Sequence, residues 1–304
     1  MQKSRKFREG WGQVDLREDF AHRVDCHGVS LIGSKRTVNQ DEYLITSLSA
    51  PGEPRSSAQE RGGVRSGPPL LLVVADGIGG APAGERASVL AVRALRDTLM
   101  SRFAAAPFQD PEGTDPGTLL KEAVIEGQKA IDDEIERDSE RDGMGTTLTA
   151  ALILWPKAHL VHVGDSRCYL VRHSSVEQLT VDHTIVQRLP DAHPDLEMPE
   201  PPSRWRHILW NVIGGRSSEL HPQVRTIDLQ WGDALLLATD GLTGSLSDQE
   251  ILHRVQAERS AEAVCTRLIQ TAQARKGTDD MTVLCARFGR SSLWKHLREI
   301  FLGG

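Results

Sequence analysis

The stretch LLLVVADG, residues 70–77, decides the reading of the fold. Its apolar run is too short for an ordinary helix and too continuous for a strand with one face in water, so it predicts a strand buried on both sides. The run stops abruptly on Asp76-Gly77, and the device returns in ALLLATDG, residues 234–241, which stops on Asp240-Gly241. An Asp-Gly pair at a strand end is more often a turn former than a functional group. A carboxylate at the edge of a core, however, is costly unless a backbone donor, an arginine or a cation meets it.

Working outward, short strands are predicted at Val29–Ile32 and Tyr43–Thr46, followed by a Pro-, Gly- and Ser-rich surface loop over residues 50–69. Two amphipathic helices come next. One runs from Gly84 to about Phe103, with Ala87, Leu90, Ala91, Ala94 and Leu95 on one stripe; the other carries Leu120, Val124, Ile131 and Ile135 at helical spacing. Four β-rich runs then follow, Thr146–Leu154, Ala158–Val163, Cys168–Arg172 and Val176–Thr180, and their turn residues predict an antiparallel meander. Helices near Asp248–Gln256 and Ala261–Ala274 precede a last strand at Met281–Arg287.

The bulk properties exclude several classes. With 39% apolar and 26% charged residues, the chain has enough apolar material for a packed core. A net charge of −6 gives no electrostatic footprint for DNA or RNA. Cys26, Cys168, Cys265 and Cys285 lack zinc spacing and read as reduced thiols. Neither a secretory leader nor an apolar run of membrane-spanning length is visible, so the expectation is a cytoplasmic protein without a membrane role.

Three more aspartates adjoin strands: Asp41 in NQDEY, Asp165 in VGDSR and Asp279 in GTDDMT. Together with Asp76 and Asp240 they form an oxygen-only set, and without His or Cys such a set selects hard ions such as Mg²⁺ or Mn²⁺. In order along the chain stand IGSKRTVNQDEYL (32–44), LLVVADGIGGAPAGERAS (71–88), GMGTTLTAALI (143–153), AHLVHVGDSRCYLVR (158–172), QLTVDH (178–183), NVIGG (211–215), WGDALLLATDGLTGSLSDQEI (231–251) and KGTDDMTVL (276–284). This ordered set resembles the type 2C (PPM) protein phosphatases in their bacterial form. The likeness spans about residues 21–288, leaving an N-terminal tail over 1–20 and a C-terminal amphipathic helix over 289–304 that is a candidate for docking a partner.

The resemblance implies an α+β fold, a four-layer α/β/β/α sandwich with two central antiparallel sheets flanked by helices. It implies hydrolysis of phosphoserine and phosphothreonine in proteins by a water that two metal ions activate, opposing a bacterial Ser/Thr kinase. By the same resemblance Asp76 bridges both catalytic metals and the Gly77 carbonyl lies beside it. Asp240 and Asp279 match aspartates that hold one metal, Asp41 the acidic partner near the other, and Asp165 the ligand of a third, weaker ion. Arg36 matches the arginine that grips the substrate phosphate, a task that suits a guanidinium fork. An inactive phosphopeptide-binding adaptor on the same fold, or a phosphatase dedicated to a sigma-factor partner-switching regulator, remains open at this point.

Departures from the family pattern are local. Ile78 stands where many eukaryotic relatives carry a His that protonates the leaving oxygen, and Asp280 stands where Asn is usual. Residues 188–207 fit the family's variable flap, and their prolines predict an irregular loop. His183 and His162 read as structural, and GIGGAPAG lacks the frame of a nucleotide-binding loop.

Overall fold

The computed structural model describes residues 24–48, 68–80, 83–105, 115–192, 205, 207–215, 219–275 and 277–289. The expected N-terminal tail, nearly all of the 50–69 loop and residues 290–304 of the expected C-terminal helix lie outside the described residues.

Two antiparallel sheets form the centre. The first is ordered β1 (Val24–Leu31), β12 (Met281–Phe288), β11 (Ala234–Ala238), β7 (Arg167–Arg172), β8 (Ser175–Gln178). The second is ordered β10 (Gln223–Asp228), β6 (Lys157–Val163), β5 (Leu148–Leu154), β3 (Leu70–Ile78), with β2 (Asp41–Ser47) on the other side of β3 and short β4 (Gly145–Thr146) and β9 (Ile213–Gly214) at its end.

The period of two in β3 explains the layering. Leu71, Val73 and Ala75 face α1 (Ala83–Ala105) and α2 (Pro116–Arg137) in one apolar cluster. Leu70, Leu72 and Val74 point the other way, into a cluster with Leu170, Leu235, Leu237 and Leu284 of the opposite sheet. The far face of the first sheet packs Leu236, Val283 and Cys285 against α5 (Asp248–Ala257) and α6 (Ala261–Ala274) in a third cluster. Three apolar layers separate four structural ones, which is the α/β/β/α sandwich expected.

Two sequence expectations need correction, and one strand has no counterpart among them. The four β-rich runs are not one meander: β5 pairs β6 and β7 pairs β8, but at Gly164-Asp165-Ser166 the chain leaves one sheet for the other. Both hairpins carry buried residues on either face, so periodicity gave no sign of the switch. Residues 188–192, expected to be irregular, are helical within α3 (Ile185–Ala192). The Thr184 hydroxyl caps its start, accepting from Gln187 N–H at 3.3 Å. Strand β10 was not predicted, because it is a largely exposed edge strand with no buried run to betray it.

Candidate active site

The predicted aspartates gather at one end of the sandwich. Strands β3 and β11 run toward this end, β3 carrying Asp76 two residues before its last and β11 stopping just before Asp240, which opens the short helix α4 (Asp240–Thr243); β2 and β12 start there at Asp41 and just after Asp280. Register places Asp41 directly across from Asp76 on adjacent strands. Two like charges so placed are unfavourable unless something offsets them.

Glycines allow the close approach. A methyl group on Gly77 would lie 2.1 Å from the Gly84 carbonyl oxygen, where the start of α1 presses on the end of β3. On Gly241 it would lie 2.0 Å from the Asp280 carbonyl oxygen. The glycine after each strand-ending aspartate therefore serves backbone contact as well as the turn.

Asp41 is 4% exposed and its Oδ2 accepts from the Thr239 hydroxyl at 2.8 Å and the Thr282 hydroxyl at 2.7 Å. Because Thr282 spends its single proton there, Ser30 donates to Thr282 at 2.8 Å, and Ser30 accepts in turn from the Asn39 amide at 2.8 Å. The other oxygen, Asp41 Oδ1, is buried and has no hydrogen-bond partner; the same holds for Asp240 Oδ1.

The carboxylates perturb one another. Burial first, then the charges of Asp41, Asp240, Asp165 and Asp279, raise the Asp76 pKa well above the carboxylate range, so Asp76 senses all four of the others. Burial, with Asp280 and Asp240 adding to it against the two threonine hydroxyls, pushes Asp41 up to about 7. Burial and then Asp240 and Asp182 push Asp165 up to about 8. Asp240 is raised by burial and then by Asp279. Among the described residues no group of three or more His, Cys, Asp or Glu side chains is tight enough to hold a metal ion by itself. Hard ions that keep much of their water shell do not require such a group.

Asp165 sits in the crossover turn. Gly164 has φ +106° and a methyl group there would lie 2.5 Å from Thr147, so the turn depends on glycine. His183 braces it: its ring Nδ1 accepts from Gly164 N–H at 3.0 Å and its backbone N–H donates to the Gly164 carbonyl at 2.7 Å. His162 lies between the Thr149 hydroxyl at 2.9 Å and the Val181 carbonyl at 3.1 Å. Hydrogen bonds thus hold both imidazoles within the fold.

Arg36 reaches the cluster by another route. Its Nε and Nη2 donate to Asp279 Oδ1 at 2.9 and 2.5 Å, and Nη1 donates to Gln40 Oε1 at 2.9 Å. Those bonds leave two of the five guanidinium N–H donors for a ligand. The unusual Asp280 is occupied elsewhere. Its two oxygens accept from the backbone N–H groups of Gly33 at 2.8 Å and Gln40 at 2.9 Å, so its carboxylate clamps the loop that carries Arg36.

Sequence reasoning missed Thr239, Thr282 and Gln40, although each lies within two residues of a quoted aspartate. It also missed His207, whose Nδ1 stands 3.8 Å from Asp240 Oδ2, a contact no motif announced.

Comparison with known proteins bears on this geometry. The family description "Protein phosphatase 2C" matches residues 57–283. The chain belongs to the protein phosphatase 2C family. Among curated relatives, the serine/threonine protein phosphatase PstP of Mycobacterium tuberculosis is 37% identical over 216 residues, 71% of this chain and 40% of that protein. The chain thus matches well under two thirds of the length of PstP. The serine/threonine phosphatase Stp of Listeria welshimeri is 31% identical over 239 residues, 77% of this chain and 91% of that protein. A crystal structure of the PstP catalytic domain in complex with two manganese ions superposes with a TM-score of 0.67 at 31% identity, covering 88% of this chain and 99% of that one. No described helix of this family member is long and apolar enough to cross a membrane.

Proposed function

We propose that this chain is a metal-dependent protein serine/threonine phosphatase that hydrolyses phosphoserine and phosphothreonine in cytoplasmic phosphoproteins, opposing a Ser/Thr kinase. The carrying observation is the pair of buried, unpartnered carboxylate oxygens, Asp41 Oδ1 and Asp240 Oδ1, inside a cluster of mutually perturbing aspartates. A buried carboxylate with an unmet lone pair is costly, and a divalent cation is the partner that removes both the desolvation and the repulsion. The donor set is oxygen alone, which fits Mg²⁺ or Mn²⁺.

Asp76 would be the residue to serve both ions, since the charges of Asp41, Asp165, Asp240 and Asp279 all act on it. The Gly77 carbonyl stands beside it; Asp240 and Asp279 would serve one ion, Asp41 the other, and Asp165 a weaker third. Two bound ions supply Lewis acidity, lowering the pKa of water and neutralising charge on the phosphoryl oxygens. Thr239 and Thr282 hold Asp41 in one orientation. Arg36, fixed against Asp279, turns its two remaining donors to the substrate phosphate and orients the phosphorus for in-line attack. Ile78 offers no proton, so the leaving oxygen takes one from water.

The test is release of phosphate from para-nitrophenyl phosphate and from a phosphothreonine peptide with Mn²⁺ or Mg²⁺, with EDTA, and with Asp76→Asn. We expect turnover that EDTA abolishes and that Asp76→Asn lowers by about a thousandfold, the scale at which single electrostatic contacts at a reacting centre act. A folded protein inert at millimolar metal would instead be a phosphopeptide-binding adaptor.

A further inference from the structure

We propose that the cleft opening beside Arg36 is a subsite that selects an acidic residue flanking the phosphorylated one, with Lys35 reading its charge; this rests on the phosphatase reading above. The cleft has a volume of about 520 Å³ and is lined by Ile32, Ser34, Lys35, Gln273, Thr278 and Met281 among others. Two of these residues are chain neighbours of the pair that fixes the phosphate end: Lys35 precedes Arg36, and Thr278 precedes Asp279. An extended peptide whose phosphate lies at Arg36 therefore has this cleft within reach of an adjacent side chain.

The cleft is built before any peptide arrives. Gly33 N–H is tied to Asp280, Arg36 N–H returns to the Gly33 carbonyl at 3.1 Å, and the Ser34 hydroxyl donates to the Gly277 carbonyl at 3.3 Å. The walls also touch through backbone, since a methyl group on Gly33 would lie 2.4 Å from the Thr278 carbonyl oxygen. Such walls need little ordering on binding.

The lining chemistry points to an acidic occupant. Met281 is buried and Ile32 half-buried, giving the floor apolar atoms for side-chain methylenes; Ser34, Lys35 and Thr278 are exposed at the rim. Exposed lysines are ordinary, but the position and charge balance of this one are not. Asp279, the nearest carboxylate along the facing segment, is taken by Arg36, and Lys35 forms no ion pair among the described residues. In a chain of net charge −6, a cation unpaired among the described residues and next in sequence to Arg36 is positioned to distinguish acidic from basic neighbours of a phosphoresidue.

The experiment compares kcat/KM, with Mn²⁺ at low ionic strength, for phosphothreonine peptides that differ only in Glu, Ala or Lys at each position from two before to two after the phosphoresidue. Para-nitrophenyl phosphate is run alongside. Wild type is expected to favour Glu over Lys by about fivefold at one flanking position, the scale of an exposed ion pair, with the preference shrinking in salt. Lys35→Glu is expected to invert that preference. Its faster turnover of the Lys peptide, relative to wild type, is a gain that damage to the fold does not produce. Turnover with no positional preference, a preference for Ala over Glu, or a preference that Lys35→Glu leaves unchanged overturns the subsite alone. Failure of wild type on every substrate, para-nitrophenyl phosphate included, overturns the phosphatase reading and the subsite with it.

Discussion

Replacing Thr282 with Val isolates what the hydroxyl network does for the site. Valine preserves shape and removes one of the two hydroxyls that donate to Asp41 Oδ2. The backbone N–H of Thr282 keeps its bond to the Thr239 hydroxyl at 2.9 Å, so no main-chain donor is orphaned, and the remaining cost is the Ser30 hydroxyl, which loses its acceptor and which thermal melts register. The companion change Thr239→Val lacks that virtue, because it would strand the same N–H and confuse stability with function. A hydrogen bond to a charged group contributes about 1.5–3 kcal/mol, and its loss falls on the ionised form of Asp41. A carboxyl already pushed up to about 7 then moves further up, so protons compete with cations across neutral pH. We expect Mn²⁺ affinity at pH 7 to fall by about tenfold to a hundredfold, the effect typical of residues that orient a ligand, and to recover in part by pH 9. Calorimetric titration of Mn²⁺ into both proteins at pH 6, 7.5 and 9, with thermal melts to verify folding, makes the measurement. A folded variant with wild-type affinity at every pH refutes the claim that Asp41 is tuned through this network.

Metal-free protein should lose stability as pH rises. Asp41 and Asp165 have folded pKa values raised to about 7 and 8, so the folded state holds protons that the unfolded chain releases near pH 4; that stability is complete below about pH 4 and is lost as pH climbs through 7 and 8. Melting in EDTA across pH 5–9 should show Tm falling, Mn²⁺ should reverse the fall, and a flat EDTA profile contradicts the mutual repulsion described. Asp280→Asn keeps one acceptor where two backbone N–H groups need one each, so Tm should drop by roughly 4–8 °C for a loss of about 2 kcal/mol, with KM for phosphopeptide rising as the Arg36 loop loosens. An unchanged Tm sinks the clamp.

The layers were legible because burial on both faces writes itself as continuous apolar runs, and LLLVVA and ALLLA became β3 and β11. Helix α6 was expected at Ala261–Ala274 and is found there, since its stripe of Val264, Cys265, Leu268, Ile269 and Ala272 is unbroken and Ser260 caps it. What escaped has a physical cause. An exposed edge strand such as β10 carries no burial signal, and the crossover at Asp165 is a matter of which sheet a strand joins, which one strand's pattern does not encode. At the site, aspartates advertise themselves by ending apolar strands. Thr239 and Thr282 look like ordinary strand residues, and their role exists only where two strands meet. Asp280 illustrates the converse: it departs from the usual Asn beside a metal-site aspartate, and only the structure shows that its partners are two main-chain donors.

The cluster draws on both sheets, and this constrains how far either can slip. Asp41 and Asp76 belong to the β2–β3 pair of one sheet, whereas Thr239, Asp240 and Thr282 belong to β11, its end and β12 of the other. The two bonds from Asp41 therefore stitch the sheets together at the end where apolar packing gives out. A shift of one residue in the β2–β3 register would turn Asp41 to the opposite face, away from both threonines, and bring Gln40 or Glu42 opposite Asp76. The Asn39–Ser30–Thr282 chain and the Gln40 N–H on Asp280 hold β2 in place against β1 and β12. Register of an edge strand, ordinarily the loosest feature of a sheet, is here pinned by polar bonds to the neighbouring sheet, because the acid opposite Asp76 has to be Asp41.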